Sequence, residues 1–231
     1  MIKELFQNSV FFGVLISIAS YMFGMFLKRK FKLAIFNPLL ISVIVTIIVV
    51  LCLNIDYDSY YNGAKYLSYL LTPATICLAI PLYEQFELLK HNWKAIICGI
   101  VSGVLSSMGT VLLMSMLFGL THEEYVTLLP KSITTAIGMG VSEELGGYVN
   151  ITVAVIIITG ILGNIIAEFV CRIFRIKEPV AKGLAIGTAS HAIGTTKAME
   201  MGETEGAMSS LSIAVSGLLT VVGASVFAEF M

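Results

Sequence analysis

The chain has 231 residues, 57% hydrophobic and only 13% charged, with a mean hydropathy of +0.92, whereas a soluble domain is about 45–50% apolar and about 25% charged. So little polar surface excludes a water-soluble globule, and a formal net charge of -1 excludes a chain that holds nucleic acid by bulk electrostatics. The four cysteines, Cys52, Cys77, Cys98 and Cys171, stand far apart with no C-x-x-C pair; they read as small apolar residues, with no disulfide framework or metal site.

A bilayer core about 30 Å thick asks for about 20 apolar residues per helix. The first such run, Leu5 to Leu27, has no basic leader or small-residue cleavage site and is followed at once by Lys28, Arg29, Lys30 and Lys32, so it reads as a retained span rather than a signal peptide. The second, Phe36 to Leu53, opens on Asn37-Pro38, a polar cap before a first-turn proline. Tyr66 to Tyr83 is apolar but carries Pro73 and Pro81, each of which removes a backbone hydrogen bond. Ala95 to Leu120 is uninterrupted. Thr127 to Gly147, which reads LLPKSITTAIGMGVSEELGG from Leu128, is too polar to cross while facing lipid; it reads as a re-entrant or half-buried helix, with an amphipathic surface helix as the alternative. Val149 to Ala167 is a further span. Gly183 to Thr196 is short and interrupted by Gly187, Gly194 and the polar residues Thr188, Ser190, His191, Thr195 and Thr196; Gly206 to Ala228 closes the series.

Ten of the fourteen lysines and arginines lie in three places, Lys28 to Lys32, Lys90 to Lys94 and Arg172 to Lys182, which the positive-inside rule puts in the cytoplasm. The acidic loops Asp56/Asp58, Glu123/Glu124, Glu143/Glu144 and Glu200/Glu203/Glu205 then fall outside. The expected fold is an all-α integral membrane protein of about seven spans plus a re-entrant helix, with an external N-terminus and a cytoplasmic C-terminus. Ile100-Val-Ser102-Gly103-Val-Leu-Ser106 echoes Ala214-Val-Ser216-Gly217-Leu-Leu-Thr220, and each half carries one interrupted helix between plain ones. One transmembrane domain over 1–231 is therefore expected to contain an inverted repeat, about 36–120 and about 149–229, with 5–27 and 127–147 as additional helices. The two discontinuous helices, one per repeat, would meet near the midplane as in secondary transporters.

Three clusters could hold a ligand. GTASHAIGTTKA, Gly187 to Ala198, places glycines and the groups of Ser190, His191, Gly194, Thr195, Thr196 and Lys197 in an apolar region. Ionisable groups at membrane depth are costly and usually functional, and free helix N-termini favour an anion; small residues that merely allow close packing are the competing reading. LTPATICLAIP, Leu71 to Pro81, brackets Thr72, Pro73 and Thr75 between prolines whose freed carbonyls would face a ligand, or which simply kink the chain. PKSITT sets Lys131 beside Ser132, Thr134 and Thr135 at a helix start; Lys131 either pairs an anion or snorkels to headgroups. No catalytic triad, phosphate loop or dinucleotide fingerprint is present, so neither catalysis nor a cofactor is expected.

At these clusters, and from NPLL at Asn37 through PATICLAIPLY, LLPKSITT and GTASHAIGTTKAMEMGETEGAMSSL, the chain resembles the LrgB/CidB family of antiholin-like membrane proteins, which also includes the C-terminal part of the plastid glycolate/glycerate transporter. It departs from that pattern at Ala136, where a proline is expected, at Gly138-Met139-Gly140, and at Lys197, where arginine is common. The resemblance implies carriage of a small monocarboxylate such as pyruvate or glycolate; alternatively, it implies restraint of murein hydrolase activity and autolysis with a holin-like LrgA/CidA-type partner. It also implies a bacterial cell membrane and a homo-oligomer, with a dimer expected. On the carrier reading the carboxylate docks near Ser190, His191, Thr195 and Lys197, Thr72 and Thr75 close the site, and a proton on His191 supplies a coupling charge.

Overall fold

The computed structural model describes residues 11–31, 36–77 and 79–231, without the side chains of residues 71, 72, 75, 81 and 82. The described residues are helical, with no strand, and the chain divides into two compact units, Met1–Cys77 and Leu78–Met231.

In the first unit α1 (Phe12–Phe31) packs antiparallel to α2 (Pro38–Cys52) and against α3 (Tyr57–Ser68). The Asn37 side chain caps α2 by accepting from the backbone N–H groups of Leu39 (2.9 Å) and Leu40 (3.2 Å), and Pro38 fills the first turn as its sequence position predicts. Close approach of α3 depends on Gly13, where a Cβ would collide with the carbonyl oxygen of Tyr60; the Ser17 and Tyr60 hydroxyls then meet at 2.9 Å. Helix α4 (Leu71–Cys77) ends this unit.

The second unit begins with α5 (Ala79–Glu84), which packs on the last helix. Helix α6 (Phe86–Phe118) follows and ends on left-handed Gly119, φ +66°, whose N–H returns to the Ser115 carbonyl. Next come α7 (His122–Leu128), opened by a reciprocal Thr121/Glu124 capping box, α8 (Thr135–Glu144), α9 (Val149–Ile173), α10 (Pro179–Met201) and α11 (Glu203–Ala228). A seam at helical spacing on α6, from Ile96 through Ile100, Val104, Met108 and Val111, forms one buried cluster with Tyr125, Val126, Leu129, Met208 and Ala224. Among the described residues, four helices are long and apolar enough to cross a bilayer, α1, α6, α9 and α11; α2 is apolar but has only 15 residues.

Burial is inverted relative to a soluble protein. Leu117 is 70% exposed and Phe169 64%, while Ser142, Thr152, Thr195 and Ser209 are fully buried and hydrogen-bonded. Lipid is the solvent that tolerates such an exterior, and it makes internal satisfaction of polar groups obligatory.

Two segments of the second unit double back. In the first, the Tyr148 N–H donates to Thr127 Oγ1 at 2.7 Å, and Thr152 Oγ1 lies 2.9 Å from the Thr127 carbonyl and 2.7 Å from Ser142 Oγ. Residues 127 and 148 therefore share one end of the unit, and α7 and α8 form the arms of a hairpin. The ten residues of α8 rise about 15 Å, half of a bilayer core.

The second doubling is α10. It is interrupted at His191, φ +42° and ψ -143°, and its halves run in opposite directions along α9. Cavity-lining Cys171 and Lys182 adjoin at one end, a Cβ on Gly163 would strike Ser190, and one on Gly160 would meet the His191 ring. From there Asn164 Nδ2 donates to the Ile193 carbonyl at 2.8 Å, and Lys197 reaches Glu168. Lys182 consequently pairs with Glu205 at 3.5 Å, just past the other end of the helix. A straight helix would put residues 182 and 201 about 28 Å apart, yet both line one cavity.

Two expectations change with this reversal. The acidic loop Glu200/Glu203/Glu205 lies at the same end as Arg172–Lys182 rather than opposite it, because α10 turns back instead of crossing. Met231, expected beside the basic loops, lies at the far end, where its carbonyl oxygen is 2.6 Å from His122 Nδ1 and where the Tyr125 hydroxyl donates to the Phe227 carbonyl.

Candidate functional site

The two hairpin tips come from opposite ends and meet against the same residues. His191 Nε2 lies 3.0 Å from the carbonyl oxygen of Ile156, and a Cβ on Gly138 of α8 would strike the side chain of Ile156. On α6, Gly103 admits the Thr188 side chain, and one turn further Ser107 meets the other tip. The tip of α10 is held tightly. The left-handed backbone of His191 costs about 1–3 kcal/mol, offset by the ring's bond to Ile156 and by Thr195 Oγ1 donating to the His191 carbonyl at 2.9 Å. Thr195 also meets Ser209 Oγ of α11 at 2.7 Å.

The opposing tip carries the cation. Lys131 Nζ donates to Ser107 Oγ at 3.0 Å and to Ser132 Oγ at 2.9 Å, and the two serines lie 3.1 Å apart. No carboxylate partner faces Lys131 among the described residues, so its charge is solvated by hydroxyls alone. Thr134 and Thr135 follow at the N-terminus of α8, where Thr134 is the cap residue and its side chain makes no capping bond. The Thr188 hydroxyl, 6% exposed, has no hydrogen-bond partner among the described residues. A cavity of about 690 Å³ runs beside it, between α6 and the first arm of α10, from Asn92 and Glu178 to Gly103 and Thr188. Among the described residues no group of three metal-ligating side chains occurs.

The residues singled out in the sequence separate into distinct groups. Ser190, His191, Gly194 and Thr195 are buried at or beside the break; Gly194 and Ser190 pack so closely that a Cβ on the glycine would collide with the serine. Thr196 lies on the α9 side, where its hydroxyl accepts from Asn164 at 2.9 Å and donates to the Ile193 carbonyl at 2.8 Å. Lys197 is away from the tip, paired with Glu168 at 2.6 Å and Glu200 at 3.2 Å: its charge is already neutralised, and it fastens the second arm to α9. Lys131 and Ser132 stand at the tip-to-tip junction. Pro73 is exposed on α4 in the first unit, while the side chains of Thr72 and Thr75 lie outside the described residues. Sequence reasoning missed Ser107, Asn164 and Ser209 because each is a lone polar residue within a regular helix; the extra signal is its occurrence in an otherwise lipid-like run. It noted Thr188 only as an interruption of its segment.

Three long apolar helices around two opposed hairpins define a multi-pass helical membrane protein with a polar junction in the interior of its second unit. The chain belongs to the LrgB-like family, whose model matches residues 17–230. It is 36% identical over 222 residues to each of three proteins named antiholin-like protein LrgB, from Bacillus mycoides (strain KBAB4), Bacillus cereus (strain B4264) and Bacillus anthracis (strain CDC 684 / NRRL 3495); in each case the match spans 96% of both chains. No solved structure matches the chain.

Proposed function

We propose that this protein is an antiholin-like component of a bacterial cell membrane, restraining murein hydrolase activity and autolysis together with a small holin-like membrane partner. The match to proteins of that name across 96% of both chains carries the reading. It predicts that, in a bacterium lacking its own relative, expression of this chain with the partner slows detergent-induced lysis and lowers murein hydrolase activity in zymograms. Lysis at the rate of the empty-vector strain would remove it.

A second reading, carriage of a small monocarboxylate, is favoured by one observation: an unneutralised Lys131 amine held by Ser107 and Ser132 where two hairpin tips meet. A small carboxylate there would replace hydroxyl contacts with a charge-assisted bond, and the free Thr188 hydroxyl one turn of α6 away offers a further donor. In this reading Lys131, not Lys197, is the anion's counter-charge, and Ser190, His191, Gly194, Thr195, Thr196 and Lys197 build and brace the opposing tip; Thr72, Pro73 and Thr75 remain candidates on the first unit. Purified protein in liposomes should then move pyruvate or glycolate. Lys131→Met should reduce the flux by about ten- to a hundredfold, the equivalent of about 1.5–3 kcal/mol for a hydrogen bond to a charged group. Flux equal in wild type and Lys131→Met would dismiss the site, and no flux from any carboxylate would leave the regulatory reading alone.

The positive-inside rule, applied to the observed directions of α6, α9 and α11, puts the basic loops in the cytoplasm and Met231 outside.

A further inference from the structure

At the root of the α10 hairpin, a cavity of about 410 Å³ is lined by Arg172, Arg175, Lys177 and Lys182 together with Glu168, Cys171, Ile176 and Met201. The carboxylate that lines it, Glu168, is paired with Lys197 at 2.6 Å, and nearby Glu205 with Lys182 at 3.5 Å. Arg172, Arg175 and Lys177 are exposed and face no carboxylate partner among the described residues. The chain is shaped to present them. Helix α9 ends in a tight reversal in which the Ile176 N–H donates to the Cys171 carbonyl at 2.8 Å, and Arg175 takes the left-handed conformation, φ +54°, that such a reversal normally gives to glycine. Beside the cations, Phe169 and Ile173 on α9 and Phe174 at its C-cap are exposed.

We propose that this cleft is a binding site for an anionic phospholipid, with its phosphodiester headgroup held by Arg172, Arg175 and Lys177 and its acyl chains lying along Phe169 and Ile173. Three cations without an ion-pair partner among the described residues, at the end of a helix long enough to cross the bilayer, suit the anionic charge of the headgroup layer, and arginine is suited to paired bonds with phosphate oxygens. The apolar flank distinguishes a lipid from a free phosphate, because only the lipid has chains to lay on it. The cleft takes Lys182 from the first arm of α10 and Met201 from the second, so a bound headgroup braces both roots of the hairpin against α9. This proposal is independent of whether the protein regulates lysis or carries a solute.

The test uses the full chain purified in a neutral maltoside. Phosphatidylglycerol, phosphatidylcholine with the same chains, and inorganic phosphate are titrated separately, with retained lipid read by native mass spectrometry and the melting temperature by scanning fluorimetry. Phosphatidylglycerol alone should be retained and should raise the melting temperature. The Arg172→Gln/Arg175→Gln/Lys177→Gln variant should retain it about a hundredfold less well, on the order of fivefold per cation. Arg172→Lys/Arg175→Lys, which keeps the charge but not the paired bonds, should bind more weakly than wild type and more tightly than the triple variant, and Lys90→Gln/Lys94→Gln, altered in a different basic cluster, should bind as wild type. Equal retention of phosphatidylcholine by the wild type, an equal shift from inorganic phosphate, or undiminished retention by the triple variant would each overturn the proposal. The comparison among wild-type ligands stands even if the triple variant fails to fold.

Discussion

Glycines at 160 and 163 set how closely the α10 tip approaches α9: a Cβ at Gly163 would run into Ser190, and one at Gly160 would come within 2.8 Å of the His191 ring. Gly163→Val should destabilise the protein by about 1–3 kcal/mol, the usual cost of overpacking, and lower its melting temperature in detergent. Gly140 on α8 has nothing within 4 Å, so Gly140→Ala should be neutral or stabilising by up to about 1 kcal/mol through helix propensity. Matching melting curves for Gly163→Val and wild type would show that the tip does not sit where described. His191 stood out in the sequence because an ionisable residue amid hydroxyls and glycines is conspicuous in an apolar chain. The different standing of Lys131 and Lys197 was hidden, because Lys197 is neutralised by Glu168, which belongs to another helix and lies far away in sequence.

Among elements, the existence of an interruption in α10 was legible and its consequence was not. Gly187 and Gly194 drew attention as helix breakers, yet the departure from helical geometry falls at His191, and hydropathy carries no sign of the direction a chain takes after a break. The acidic residues after Met201 looked like an opposite-side loop for that reason; in the structure Glu205 returns to Lys182. The sequence pairs this tip with the proline-flanked stretch at Leu71 to Pro81, which straddles the boundary between the two units; within the second unit the tip meets α7–α8, which the sequence marks only by its polar composition. The reversal is testable in a background without Cys52, Cys77, Cys98 and Cys171. Lys182→Cys and Met201→Cys should be joined by a bifunctional thiol reagent of about 10 Å span, which cannot bridge the roughly 28 Å of a straight helix. Absence of the linked species, with both cysteines individually reactive, would favour a single crossing helix.

For the molecule as a whole, composition alone established the helical membrane class, since a mean hydropathy of +0.92 leaves few alternatives, while the number of crossings could not be counted from apolar runs. In the second unit α6, α9 and α11 run from end to end and the two hairpins turn back, so Lys177 and Phe230 lie at opposite ends. Membrane-impermeant thiol reagents applied to intact cells should label Phe230→Cys and leave Lys177→Cys untouched until the cells are opened. Labelling of both cysteines from one side would contradict that arrangement. The meeting of the two hairpins between the ends of the long helices also has an electrical consequence under the carrier reading. If each hairpin is flanked by water, the insulating thickness shrinks to the few side chains around Ile156 and Ser107, and nearly all of the transmembrane voltage falls there. A bound anion passing that waist would gain or lose about 2.3 kcal/mol per elementary charge at 100 mV, making the direction of net movement responsive to membrane potential.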